Sequence, residues 1–261
     1  MSHESDFAAL ASLFSERRYD EARILAQAIL TTTPLLALAW KVLGAACQML
    51  GRKDEAMSAM RQAAVIAPDD ADIQNNLGTM FRDRGEGVSA GASYRRAMRI
   101  APDMPEPHNN YGALLKSMRR FAEAEASYRM ALLFRPSYSE AQLNLANTLR
   151  DLRKMAEATI HASRGVSLDP QASRGHFILG LVLQEMDDDA AALEEFDKAL
   201  ARENANQRRT IRCAMARSLQ KLGVQLGRQG RFIEAKEAFQ RVFLLHTTYA
   251  PLSNPNANSR L

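Results

Sequence analysis

Five prolines, Pro34, Pro68, Pro102, Pro136 and Pro170, stand 34 residues apart without a slip. Between them one pattern returns. Trp40, Leu43, Gly44, Cys47, Ala56, Met60, Ala63 and Pro68 lie at offsets 0, 3, 4, 7, 16, 20, 23 and 28. Gln74, Leu77, Gly78, Phe81, Ala90, Tyr94, Ala97 and Pro102 repeat it, and His108, Tyr111, Gly112, Leu115, Ala124, Tyr128, Ala131 and Pro136 repeat it again. A fixed period of this length marks a repeat array, whose units are too small to bury an apolar face alone and bury it on their neighbours. The period therefore overrides the one or two globular domains that 261 residues would suggest.

The pattern resembles the tetratricopeptide repeat (TPR), a pair of antiparallel helices. The agreement in residue size at about eight positions per copy, over consecutive copies, carries the resemblance. It implies an all-α fold, a right-handed α-solenoid of about seven TPR helix hairpins. It also implies a concave groove that holds an extended peptide or a partner surface.

The chain then divides as follows. Residues 1–34 form a degenerate N-terminal TPR, with Leu10 where the tight-crossing Gly would stand. Residues 35–204 hold five TPRs in strict register. In the second of these, Gly87 and Gly91 each weaken the second helix by ~1 kcal/mol relative to Ala, which predicts a mobile or late-starting helix. Pro105 and Pro107 suit the first turn of a helix, and Ser137 with Glu140 reads as a capping box. After residue 204 the register breaks. The next copy, Leu219, Leu222, Gly223, Leu226, Ala235, Phe239 and Val242, lies 43 residues on, so nine residues are inserted. Residues 205–248 are thus read as a seventh TPR with an N-terminally extended first helix. Residues 249–261, rich in Asn and Ser with two prolines, are read as a disordered tail. No polar capping helix follows, so the last helix is expected to expose apolar residues among Ala238, Val242, Phe243 and Leu245. Self-association or a covering partner would hide them.

Composition narrows the function classes. A net charge of +4 is mild and argues for solubility rather than wholesale nucleic-acid binding. Cys47 and Cys213 are too few and too distant for a disulfide framework or a metal site. No signal pattern opens the chain, and no apolar run approaches the ~20 residues that span a bilayer. The expectation is a cytoplasmic protein without membrane association and without a cofactor.

Two groups of residues are candidates for the groove. In the family, the concave face is lined by fixed places of each first helix. Carried over here, the sixth place reads Val42, Asn76, Asn110, Asn144, Ile178 and Lys221, with Asn75, Asn109 and Asn147 beside the asparagines. Amides both donate and accept, so such a row can clamp the backbone of an extended peptide. It resembles the asparagine ladder of O-GlcNAc-transferase TPR arrays; the alternative is that these side chains only meet water. The second group is basic: Arg174, Arg217, Gln220, Lys221 and Arg228, with Arg208, Arg209 and Arg212 on the extended part of the same helix. These fit an acidic peptide or a phosphate-bearing ligand, or form a solvated charged helix. The carboxylate clamp of chaperone-binding TPRs is not made, because Lys41 is followed by Ala45.

No catalytic constellation appears: His3, His108, His161, His176 and His246 are scattered, and no Gly-rich loop cradles a phosphate. The reading is a non-enzymatic scaffold for protein–protein interaction, with a protein or peptide partner that is acidic toward the C-terminal repeats. The alternative is the substrate-targeting TPR module of a glycosyltransferase or sulfotransferase system whose catalytic domain lies outside this chain. Nucleic acid is disfavoured, because stacking on bases would need interleaved aromatics.

Overall fold

The computed structural model describes the backbone of residues 2–203 and 205–247, and the side chains of 8–203 and 208–245. The tail read over 249–261 lies outside the described residues. Among them all regular structure is helical, in seven hairpins. They are α1 (Ser2–Ser15) with α2 (Tyr19–Thr32), α3 (Ala37–Met49) with α4 (Lys53–Ile66), α5 (Ala71–Asp83) with α6 (Gly87–Ile100), and α7 (Pro105–Ser117) with α8 (Phe121–Phe134). Then come α9 (Ser139–Asp151) with α10 (Met155–Leu168), α11 (Ser173–Glu185) with α12 (Asp189–Ala201), and α13 (Ala205–Arg228) with α14 (Phe232–Thr247). The chain divides into two compact units, Met1–Pro136 and Ser137–Leu261, which hold four and three hairpins.

Each hairpin turns on one left-handed residue: Arg17, Gly51, Gly85, Arg119, Arg153, Asp187 and Gly230, with φ between 60° and 77°. The first six keep the 34-residue period. Glycine enters this region without steric cost, whereas the other four residues each carry ~1–2 kcal/mol of strain. Caps are local. Asp70 accepts from the Ile73 N–H at 3.1 Å and Asp188 from the Ala191 N–H at 3.1 Å. The capping box expected from Ser137 and Glu140 does not form. Helix α9 starts at Ser139, whose Oγ donates across to the Gly165 carbonyl at 3.1 Å.

Within a hairpin the two helices meet as a gap and a plug. Gly78 lies against Tyr94, so that a Cβ on Gly78 would come 2.5 Å from the ring; at Gly180 it would come 2.6 Å from Phe196. Gly112 with Tyr128, Gly223 with Phe239 and Gly44 with Met60 repeat the arrangement. In the fifth hairpin both positions are Ala, Ala146 and Ala162, and both are fully buried. In the first hairpin the sizes are exchanged: Leu10 stands at the gap, Ala26 at the plug, and both are buried in one cluster. The first repeat is therefore a size-swapped copy rather than a relaxed one. Leucine with alanine fills about the volume that glycine and tyrosine fill elsewhere, whereas the fifth hairpin closes on two alanines with less.

A second regularity joins one hairpin to the next. The residue at offset 0 closes back on the carbonyl of the preceding proline, six residues earlier. Trp40 Nε1 donates to Pro34 O at 2.8 Å, Gln74 Nε2 to Pro68 O at 3.2 Å, and the Nε2 atoms of His108 and His176 lie 2.8 and 3.0 Å from Pro102 O and Pro170 O. A carbonyl only accepts, so each imidazole donates from an Nε2–H here. What the position demands is an N–H at that reach, not an aromatic ring. Gln74→Met, which keeps the length and loses the donor, is expected to cost about 1 kcal/mol in urea unfolding. Gln74→His should stay close to wild type; equal losses in both would refute the role of the N–H.

Helix α6 spans Gly87–Ile100, as long as α4 and α8, so it does not begin late. A Cβ on Gly91 would sit 3.5 Å from Leu114 Cδ2 and 3.6 Å from Tyr111, ordinary contact distances. Gly91→Ala is accordingly expected to raise stability by up to ~1 kcal/mol through helix propensity alone, read from the unfolding midpoint.

Candidate functional site

In the first unit, four of the six ladder asparagines lie on α5 and α7. Asn109 is fully buried and Asn75 is 8% exposed, so neither lines a groove as expected. The amide of Asn110 is spent between hairpins: its Nδ2 donates to Asn75 Oδ1 at 2.9 Å. The pair works as an internal joint, where an unmade hydrogen bond would cost ~1–3 kcal/mol. Asn76 is half-buried and is the one asparagine of the four without a partner in the described residues. Lys41 is engaged by Asp70 and Asp72, each at 3.1 Å. Burial opposes its charge, but the two carboxylates outweigh burial and hold the ammonium pKa above its ordinary value.

In the second unit, Asn144 is buried and accepts from the Arg174 guanidinium. Asn147 is half-buried, with its Oδ1 enclosed and unbonded. Buried polar joints recur here. Gln184 Nε2 donates to Ala214 O at 2.9 Å and to Ser218 Oγ at 2.7 Å, pinning α11 to α13. His176 Nδ1 lies 2.7 Å from the Glu195 carboxylate. Burial would raise the Glu195 pKa, yet Lys198 and His176 overcome it and hold the carboxyl below its usual range.

The basic residues of α13 divide: Arg208 and Arg212 are half-buried, and the others fall on its open side. Arg217, Gln220 and Arg228 are exposed and make no hydrogen bond or ion pair among the described residues. Lys221 is exposed too and meets Asp187 at 3.1 Å. Arg208 is half-buried and donates from Nε to Glu203 O at 2.9 Å, which leaves Arg209 as the exposed cation of the extended part.

That extension makes a feature the motif register did not single out. Helix α13 runs 24 residues, against 13 for α11. Its added turns carry Thr210 and Ile211 over Ser173, Arg174 and Phe177, and with Glu203 they enclose a cavity of about 270 Å³. The nine inserted residues were the signal. Their facing partners required the packing of α11 on α13.

Among the described residues no group of His, Cys, Asp and Glu is arranged to hold a metal, and no helix is long and apolar enough to cross a membrane.

The hairpin geometry, the gap-and-plug crossings and the fixed turn define a helical-repeat protein of the TPR class. The tetratricopeptide repeat profile matches residues 8–71, 51–105 and 112–173, more than half of the chain, and the protein belongs to that family. No curated protein matches it in sequence. Among solved structures, it is similar to a chain of the APC/C hetero-tetramer Cut9-Hcn1, with 19% identity and a TM-score of 0.75 over 82% of this chain. It spans 42% of that neighbour's length. It is also similar to PilW, a type IV pilus biogenesis factor, with 22% identity and a TM-score of 0.71 over 80% of this chain and 97% of PilW. A third neighbour is YrrB, a TPR protein with an unusual peptide-binding site, with 14% identity and a TM-score of 0.54 over 70% of this chain and 94% of YrrB. At these identities the likeness is one of fold.

Proposed function

We propose that the protein is a non-catalytic scaffold for protein–protein interaction, and that α11 and α13 of the second unit hold an extended acidic segment of a partner. The observation that carries this reading is the set of cations left open on α13. Arg217 and Arg228 are exposed and unpaired, with Lys221 between them. Exposed cations four residues apart share a helix face, and a carboxylate placed there gains charge-assisted hydrogen bonds. The cavity floored by Phe177 and Ile211 suits an apolar side chain of that segment; Glu203 lines it too, so the segment's carboxylates fall to the cations of α13. Asn76 supplies an accessible amide in the first unit. Asn75, Asn109 and Asn110 act inside the array, and peptide clamping there rests on Asn76 alone.

The test is direct binding of a fluorescein-labelled peptide that alternates Glu and Leu, with a Lys and Leu peptide as control. Preference for the acidic peptide, lost on reversing Arg217 and Arg228, supports the reading. Equal binding of both peptides, or of neither, overturns it.

A further inference from the structure

Among the second helices of the hairpins, α6 stands apart in charge. Helices α2, α4, α8, α10, α12 and α14 each carry at least one Asp or Glu, whereas α6 carries none and has Arg95, Arg96 and Arg99 instead. The fold does not ask for this. At four hairpins an Arg before the second helix clasps a Glu in its first turn: Arg18 with Glu21, Arg52 with Glu55, Arg120 with Glu123 and Arg231 with Glu234. At α6 the capping place holds Glu86, and the place of the clasping carboxylate holds Ser89.

The arginines find little compensation. Arg95 donates to the Tyr111 hydroxyl at 3.3 Å, and its guanidinium lies 5.9 Å from the centre of that ring. Arg61 of α4, one period before Arg95, lies in the same way 5.7 Å from the centre of the Phe81 ring. The rings steady both guanidiniums and neutralise neither. Arg99 is exposed and makes no hydrogen bond or ion pair among the described residues. Arg96 meets Asp69 at 3.8 Å, and that carboxylate is itself 87% exposed. One period after Arg95, by contrast, Arg129 is closed by Glu125. Like charges four apart on a helix destabilise it, so Arg95 with Arg99 costs α6 stability that an anion laid across the pair restores. The two flank a groove of about 570 Å³, whose remaining lining is Ala92 and Met98.

We propose that the outer face of α6, with Arg61 one hairpin away, docks an acidic amphipathic helix of a partner protein. Arg95 and Arg99 are separated by about one helical turn, the rise of Glu residues four apart on a helix laid alongside. Each planar guanidinium can take a carboxylate by two parallel hydrogen bonds. Ala92, small and exposed, lets the partner backbone come close, and Met98 gives an apolar side chain an adaptable wall. A nucleic-acid strand fits less well. Phe81 and Tyr111 lie under guanidiniums, which take the face a base would stack on. The surface belongs to the first unit and does not depend on the cations of α13.

Fluorescence anisotropy on the full chain tests this, in a background of Arg217→Glu with Arg228→Glu so that α13 contributes nothing. The probe is a labelled, Ala-rich helical peptide with Glu at every fourth place and a Leu stripe beside it; the same peptide with Lys for Glu is the control. Saturable binding of the Glu peptide alone is expected. Arg95→Glu with Arg99→Glu should weaken it at least about 10-fold, while circular dichroism keeps its helical signal. Binding of neither peptide, or binding indifferent to that double reversal, overturns the proposal. Tighter binding of single-stranded DNA, or of vesicles containing phosphatidylserine, through the same arginines would make the face a reader of phosphate and would overturn it too.

Discussion

Tyr94→Ala is expected to destabilise the first unit by about 3–5 kcal/mol, and Gly78→Leu in the same protein to repair much of the loss. Tyr94 is fully buried, and its hydroxyl lies 3.2 Å from Thr79 Oγ1. Truncation removes the ring's transfer energy and leaves a cavity between α5 and α6 that flanking hairpins cannot fill without moving their own plugs. Gly78→Leu alone should also be costly, at ~1–3 kcal/mol or more, because its Cβ already meets the ring at 2.5 Å. Together the two changes install the pairing that Leu10 and Ala26 make in the first hairpin. The signature is a coupling of roughly 2–3 kcal/mol in a double-mutant cycle of urea unfolding midpoints. Additive losses would mean that the crossing does not trade volume between its two sides.

Reversal of the open cations has the other large expected effect. Arg217→Glu with Arg228→Glu should weaken capture of the alternating Glu and Leu peptide by about 30–100-fold. Each substitution removes an attraction and adds a repulsion, and an exposed pair is worth ~1 kcal/mol or less. Wild-type binding should also weaken as salt shortens the Debye length from ~10 Å toward ~3 Å. Folding should be untouched, since neither arginine has a partner to lose among the described residues. Fluorescence anisotropy across a salt series reads both effects. Salt-insensitive capture, or unchanged affinity in the double variant, would sink the acidic-segment reading.

Much of the fold was legible because a period needs no side-chain geometry to be seen. Five in-step prolines, the recurring Gly at offset 4 and the nine-residue slip before α13 placed the hairpins from spacing alone. The parts that were not legible depend on which atom meets which. Leu10 and Ala26 look like a decayed motif until they are seen to exchange volume. Trp40, Gln74, His108 and His176 share no size or shape, only a donor at one distance. The ladder asparagines fall at the family's groove-facing places, yet the 2.9 Å bond from Asn110 to Asn75 turns two of them inward. Spacing gives a face, and a tilt of a few degrees decides whether a short amide on that face reaches solvent or the neighbouring hairpin. Phe243 was foreseen as exposed and is, but Ala238 and Val242 are buried, because helical periodicity left two adjacent stripes of α14 equally apolar.

The proline clasp bears on how such a protein can change length. Gln74 closes on Pro68, and His108 closes on Pro102 by the same reach. Deleting residues 69–102 would set His108 six places beyond Pro68, and the joint would reform with no residue altered. A chain built from interchangeable fasteners can gain or shed whole modules in one genetic step, which makes module number, more than module sequence, the easy variable in fitting such an array to a new partner.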